Sequence, residues 1–126
     1  MVIMKKILFT VALIFAFLQT QAVDITPVTN AFKAGNADMF KDMLSTEVDI
    51  VTPGVSKKGS AEEAITTLKS FFQSNKPAGF TVSHHADKND SGFIVGKLTT
   101  EDKDFRVNIT YTVIDGKILI SIIRIE

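Results

Sequence analysis

Phe105–Glu126 reads FRVNITYTVIDGKILISIIRIE, and this stretch decides the fold. It predicts a β-hairpin turning at Asp115-Gly116. A type I′ turn needs positive φ at both central positions, and Asp-Gly meets that demand at low cost. With a two-residue loop, Ile114 faces Lys117, Val113 faces Ile118, Tyr111 faces Ile120, Ile109 faces Ile122 and Val107 faces Arg124. One face then holds Phe105, Val107, Ile109, Tyr111 and Val113 with Ile118, Ile120, Ile122 and Arg124. That face is apolar near the turn and needs a cover of helices. The other face pairs Asn108, Thr110 and Thr112 with Ile123, Ser121 and Leu119, and is only half polar.

The strands before it follow the same logic. Phe80–His85 (FTVSHH) alternates, and Phe93–Thr100 (FIVGKLTT) carries Gly96 at its middle, which signals a bulge or bend. The polar run 87–92 joins them. Upstream, Val23–Ala34 reads as a helix with Val28, Ala31 and Phe32 on one side, stopped at Gly35. Ala37–Leu44 reads as a second, short helix capped by Asn36. Glu47–Val51 reads as a short strand, and 52–59 as a loop or weak hairpin. Ser60 and Glu63 have capping-box spacing and open the clearest helix, with Ala64, Ile65, Leu68, Phe71 and Phe72 forming its apolar stripe. Helices early and strands late predict an α+β fold with three N-terminal helices on an antiparallel sheet.

The first 22 residues read as a targeting segment. Lys5 and Lys6 precede an apolar run, Ile7–Leu18, and Thr20-Gln21-Ala22 offers a cleavage site after Ala22. The expected organisation is a signal peptide, 1–22, and a single domain, 23–126. The chain is thereby expected to be exported, periplasmic or secreted, with no stable membrane anchor after cleavage. It has no cysteine, which excludes disulfides, thiol catalysis and cysteine metal sites. The full chain has 14 basic and 14 acidic residues; without Lys5 and Lys6 the balance is 12 to 14, a net charge of −2. No basic block remains to hold nucleic acid.

Several motifs together resemble a known family: Gly35-Asn36-Ala37, Val48-Asp49-Ile50, Phe71-Phe72, Pro77 with Phe80, His84, Gly96-Lys97-Leu98, Phe105-Arg106-Val107 and Ile123-Arg124-Ile125-Glu126. In order and spacing the chain resembles small exported proteins of Gram-negative bacteria grouped as a domain of unknown function. They lie within the nuclear-transport-factor-two-like (cystatin-like) superfamily. The resemblance implies a cone-shaped fold, a strongly curved antiparallel sheet around the helices, and a pocket in the cone. It implies no activity, because the superfamily holds isomerases, dehydratases, transport factors and scaffolds alike.

Four residues are candidates for a ligand site in such a cone. Asp49 is either a general base near the cone mouth or a charge that blocks sheet-to-sheet pairing. His84 should face inward with Phe80 and Val82, as a buried histidine, a base or a ligand contact. Tyr111 lies on the covered face, and its hydroxyl needs a partner there. Arg124, on the same face, needs a carboxylate from Glu126, Glu47 or a ligand. Adjacent His84 and His85 point to opposite faces and cannot share one metal, so no metal site and no cofactor are expected. The sequence reading is a non-catalytic binding or interaction module, with a small ligand in the cone and a homodimer formed through Ile114, Leu119, Ile123 and Ile125. Its alternative is an isomerase or dehydratase using Asp49, His84 or Tyr111. Ten phenylalanines in the chain argue for a filled cone and so for the first.

Overall fold

The structure is a computed structural model that describes residues 23–126; the expected signal segment lies outside the described residues. The chain runs α1 (Thr26–Ala34), a 3-10 turn (Ala37–Phe40), β1 (Leu44–Thr52), β2 (Val55–Ser60), α2 (Ala61–Ser74), β3 (Pro77–Lys88), β4 (Ser91–Thr100), β5 (Asp104–Ile114) and β6 (Lys117–Ile125). All six strands form one curved sheet in the order β2-β1-β6-β5-β4-β3. Every neighbouring pair is antiparallel except β1 with β6, which run parallel.

Local chemistry sets most element ends. Pro27 opens α1, and Gly35, at φ 61°, ends it in the left-handed conformation. Ser60 and Glu63 close the capping box at the start of α2. Asp115 and Gly116 both have positive φ, 53° and 76°, as the hairpin turn requires.

Two helices and a 3-10 turn stand where three helices are expected. Asn36 does cap the turn, its side chain accepting from Asp38 N. Eight residues give too few hydrogen bonds to sustain an α-helix without strong packing. The sheet claims the rest: Ile120 N donates to Met43 O at 2.7 Å, and Leu44 is already in β1. The stretch 52–59 is resolved as a hairpin, turning at Pro53-Gly54.

The helices cover the inner face of the sheet. Phe32 sits at the centre of the core. Its ring stacks on Phe80 at 4.8 Å and meets Phe40 edge-on at 5.0 Å and Phe72 edge-on at 6.1 Å. Leu68, Ile94, Leu98, Val107 and Ile109 close around this cluster, all essentially without solvent contact. Each such side chain contributes about 1.5–3 kcal/mol by leaving water. The space between the helices and the sheet is therefore filled by apolar side chains, with phenylalanine rings at its centre.

Two β-bulges overturn the expected facing of several residues. In β6, Tyr111 pairs with Ile120 but Thr110 pairs with Ile122, so Ser121 is the extra residue. Beyond it the alternation is inverted. Ile123 and Ile125 turn into the core, 0% and 1% exposed, and leave the expected dimer face. Ile122 and Arg124 turn outward instead. In β3, Val82 pairs with Gly96 but His84 pairs with Val95, so Ser83 is extra. His84 is thereby turned outward, against expectation, and His85 inward. Gly96 does mark a bulge, but the bulge is in the strand opposite, and the space at Gly96 is taken by Phe80, 2.5 Å from where a Cβ would lie.

Candidate functional site

The inner face ends in a polar cluster at the β3 edge. The cross-strand row Ile120–Tyr111–Gly92–Asp87 runs over β6, β5, β4 and β3. The Tyr111 ring crosses Gly92, where a Cβ would come within 2.6 Å of Tyr111 Cζ and of Ala86 O. A glycine is required there because only it lets the phenol pass over the strand. The hydroxyl then reaches β3 and donates to Asp87 Oδ1. His85, two residues before Asp87 on the same face, places Nε2 2.9 Å from Tyr111 Oη and 3.1 Å from Asp87 Oδ1. The Tyr111 proton is committed to the carboxylate, so both neighbours of Nε2 accept. His85 therefore carries its hydrogen on Nε2. Asp87 Oδ2 accepts from the N–H of Val23 at 3.4 Å.

The two acids of this cluster are pushed apart. Burial of the Tyr111 hydroxyl, the hydrogen bond to Asp87 and that carboxylate's charge all hold the phenol above its ordinary range. Burial works against Asp87 ionising, but the hydrogen bonds from Tyr111 and His85, the charge of His85 and the Val23 N–H outweigh it. Asp87 stays below the usual carboxylate value. The proton thus rests on Tyr111 throughout the neutral range. A pair held this way fixes three strands to one another; it is not poised to pass a proton near pH 7.

The sequence-predicted residues do not converge. Tyr111 alone is on the inner face. Asp49, His84 and Arg124 all lie on the outer face. Asp49 heads the row Asp49–Ile122–Thr110–Phe93–Ala86. Arg124 and His84 belong to the next row, Val51–Arg124–Asn108–Val95–His84. Arg124 Nε lies 3.9 Å from Glu126 Oε1, an exposed pair worth little by itself. Sequence reasoning missed His85 and Asp87, whose facing depends on the bulge at Ser83, and Gly92, whose role depends on its place opposite Tyr111. Among the described residues no three His, Asp or Glu side chains gather as a metal centre.

The outer face is not an ordinary polar surface. Phe93 and Ile122, in one row, are 45% and 37% exposed. Around Phe93 the sheet forms an open hollow of about 720 Å³, walled by Lys88, Val95, Asn108 and Thr110 and mostly apolar.

Comparison with known proteins agrees with this architecture. The family described as domain of unknown function DUF4783 matches residues 25–126. The crystal structure of a DUF4783 protein from Bacteroides fragilis is 40% identical, with a TM-score of 0.73 over 79% of this chain and 94% of that one. One from Bacteroides uniformis is 33% identical, with a TM-score of 0.75 over 79% and 93%. An NTF-2 like protein of unknown function from Silicibacter pomeroyi is 12% identical, with a TM-score of 0.61 over 81% and 87%, a likeness of fold alone. None of the curated proteins matches the chain. With a curved six-stranded sheet, two covering helices and a family match over almost all its described length, the chain belongs to the DUF4783 family of unknown function, in the NTF2-like fold.

Proposed function

We propose that the protein is a non-catalytic interaction module, exported from the cytosol, which works through the outer face of its sheet and pairs there with a second copy of itself. The observation that carries this reading is the row Ile122–Thr110–Phe93–Ala86, largely apolar and open to solvent across four strands. Exposed apolar area of this kind is costly unless a partner covers it. The same face holds both charge signs, Asp49 beside Ile122 and Arg124 in the neighbouring row. A two-fold axis can set such a face against its own copy, acid to base. Ile114 and Leu119 border it, while Ile123 and Ile125 belong to the core.

The ligand reading moves outward with it. A small molecule in the cone would have to displace Phe32, Phe40 or Phe72, each buried in edge-on contact with another ring. The isomerase or dehydratase alternative needs two of Asp49, His84 and Tyr111 in one cavity. The sheet itself separates Tyr111 from the other two.

Sedimentation equilibrium of the processed protein at micromolar concentration tests the proposal. The expected result is a dimer, converted to a folded monomer by Ile122→Asp or Phe93→Asp. A wild-type monomer at that concentration, or a dimer indifferent to both substitutions, would overturn it.

A further inference from the structure

Oδ1 of Asp87 serves Tyr111 and His85, whereas among the described residues Oδ2 faces a single donor, the nitrogen of Val23, at 3.4 Å. Val23 is held in place by more than this contact. Its side chain and that of Ile25 pack on the core, and Asp24 Oδ1 accepts from Thr26 N at 3.0 Å, fixing the chain as it enters α1. Val23 is also the residue that cleavage after Ala22 would make first. Within a peptide bond its nitrogen offers one neutral N–H at long range. As a free amine it offers a full charge and three donors, and ionic hydrogen bonds are both shorter and stronger.

We propose that removal of the leader completes this cluster, by placing the newly formed α-ammonium of Val23 on Asp87 Oδ2. The covalent step is hydrolysis by a leader-removing endopeptidase. Water adds to the Ala22 carbonyl and the C–N bond breaks. Ala22 leaves as a carboxylate, and the Val23 nitrogen keeps the bonding pair and takes up both protons of that water, becoming the ammonium. The processed terminus is then a fourth member of the cluster, tying the start of the chain to the edge strand β3. It lies on the inner face, so it stands or falls apart from the dimer proposed for the outer one.

Each element around the amine has a defined charge role. β3 presents Asp87 and His85, with Lys88 directed to the outer face; β5 presents Tyr111; β4 presents Gly92. The terminal segment adds Asp24, already occupied by Thr26. An ammonium paired with Asp87 titrates above the ordinary α-amine range of about 7.7–8.0. Its stabilisation is whole below that range and is lost as pH rises through the raised value.

The test starts from the full chain exported by a bacterial host. Intact mass should place the mature terminus at Val23. The amine is then followed by its rate of acylation with an amine-selective reagent across pH. At pH 7 it should react about threefold to tenfold more slowly than in a chain with one glycine inserted between Ala22 and Val23. The insertion moves the amine by about 3.8 Å and leaves every packed residue in place. Asp87→Asn should raise the rate to match. A mature terminus other than Val23, or equal rates in the wild-type and inserted chains, overturns the proposal.

Discussion

The β3–β4 and β5–β6 hairpins carry the same device and use it for opposite ends. Each holds an extra serine near the middle of one strand, Ser83 in β3 and Ser121 in β6. Ser83 donates its hydroxyl to Val95 O at 3.0 Å, and Ser121 donates to Thr110 O at 3.4 Å. In both cases the hydroxyl bonds a carbonyl across the ladder at the point where the pairing is interrupted. In β6 the bulge turns two isoleucines inward and adds them to the core. In β3 it turns a histidine and an aspartate inward, where Tyr111 meets them. One residue of slip reverses the facing of everything beyond it. The residues after the serine decide the outcome: Ile-Ile-Arg-Ile in β6, His-His-Ala-Asp in β3.

The largest expected effect comes from breaking this comparison in β6. Ile123→Ala should cost about 2–5 kcal/mol, because it opens a cavity in a fully enclosed site. Ile122→Ala should cost less than about 1 kcal/mol, since its side chain already meets solvent in the free subunit. Urea denaturation of the subunit at dilution below dimer formation measures both. A hairpin without the Ser121 bulge would give the reverse order.

A smaller effect sharpens the comparison in β3–β4. Gly92→Ala puts a methyl group into Tyr111 and against a backbone carbonyl that cannot swing aside. Overpacking of this kind costs about 1–3 kcal/mol. Gly79→Ala is the control, because nothing lies within 4 Å of its added carbon. Thermal melts should place Gly79→Ala at or above the wild type and Gly92→Ala several degrees below it. Equal melting points would mean that Tyr111 does not cross the strand at Gly92.

These two hairpins also show how far the sequence can be read. The turn at Asp115-Gly116, the capping box at Ser60 and the apolar faces of α1 and α2 are local, and each is legible from a few adjacent residues. The α+β class comes from their order. The bulges are not legible in the same way. Gly96 betrays an irregularity, but a glycine marks a close approach from the other strand as readily as a bulge in its own. The phase of β3 beyond Ser83, and with it the choice between His84 and His85, depends on that distinction. Ile123, Arg124 and Ile125 face opposite to expectation for the same reason, at Ser121. The parallel join of β1 to β6 has no local signal at all, since it links residues more than seventy positions apart. The candidate site is therefore less legible than the fold: Tyr111 can be placed, but its partners lie beyond a bulge.

The smallest effect separates the two bulges by pH. The inward polar group of β3 titrates, and the inward apolar group of β6 does not. Asp87 is held below the ordinary carboxylate value. Its contribution is whole above the unfolded value of about 3.9, and it is lost as pH falls through the lower folded one. Tyr111 is held above the ordinary phenol value. Its contribution is whole below about pH 10 and is lost as pH rises towards the folded value. Tyr111→Phe removes the hydrogen bond to an ionised carboxylate and should cost about 1–2 kcal/mol at pH 7. Part of that cost should vanish above about pH 10, where the unfolded wild-type tyrosine ionises while the folded one still holds its proton on Asp87. Asp87→Asn should flatten the acid limb in the same manner. Urea midpoints across pH, compared between these variants and Ile123→Val, read the difference directly. The Ile123→Val profile should run parallel to the wild type at every pH, and a Tyr111→Phe profile that also runs parallel would show that the phenol does not bond Asp87.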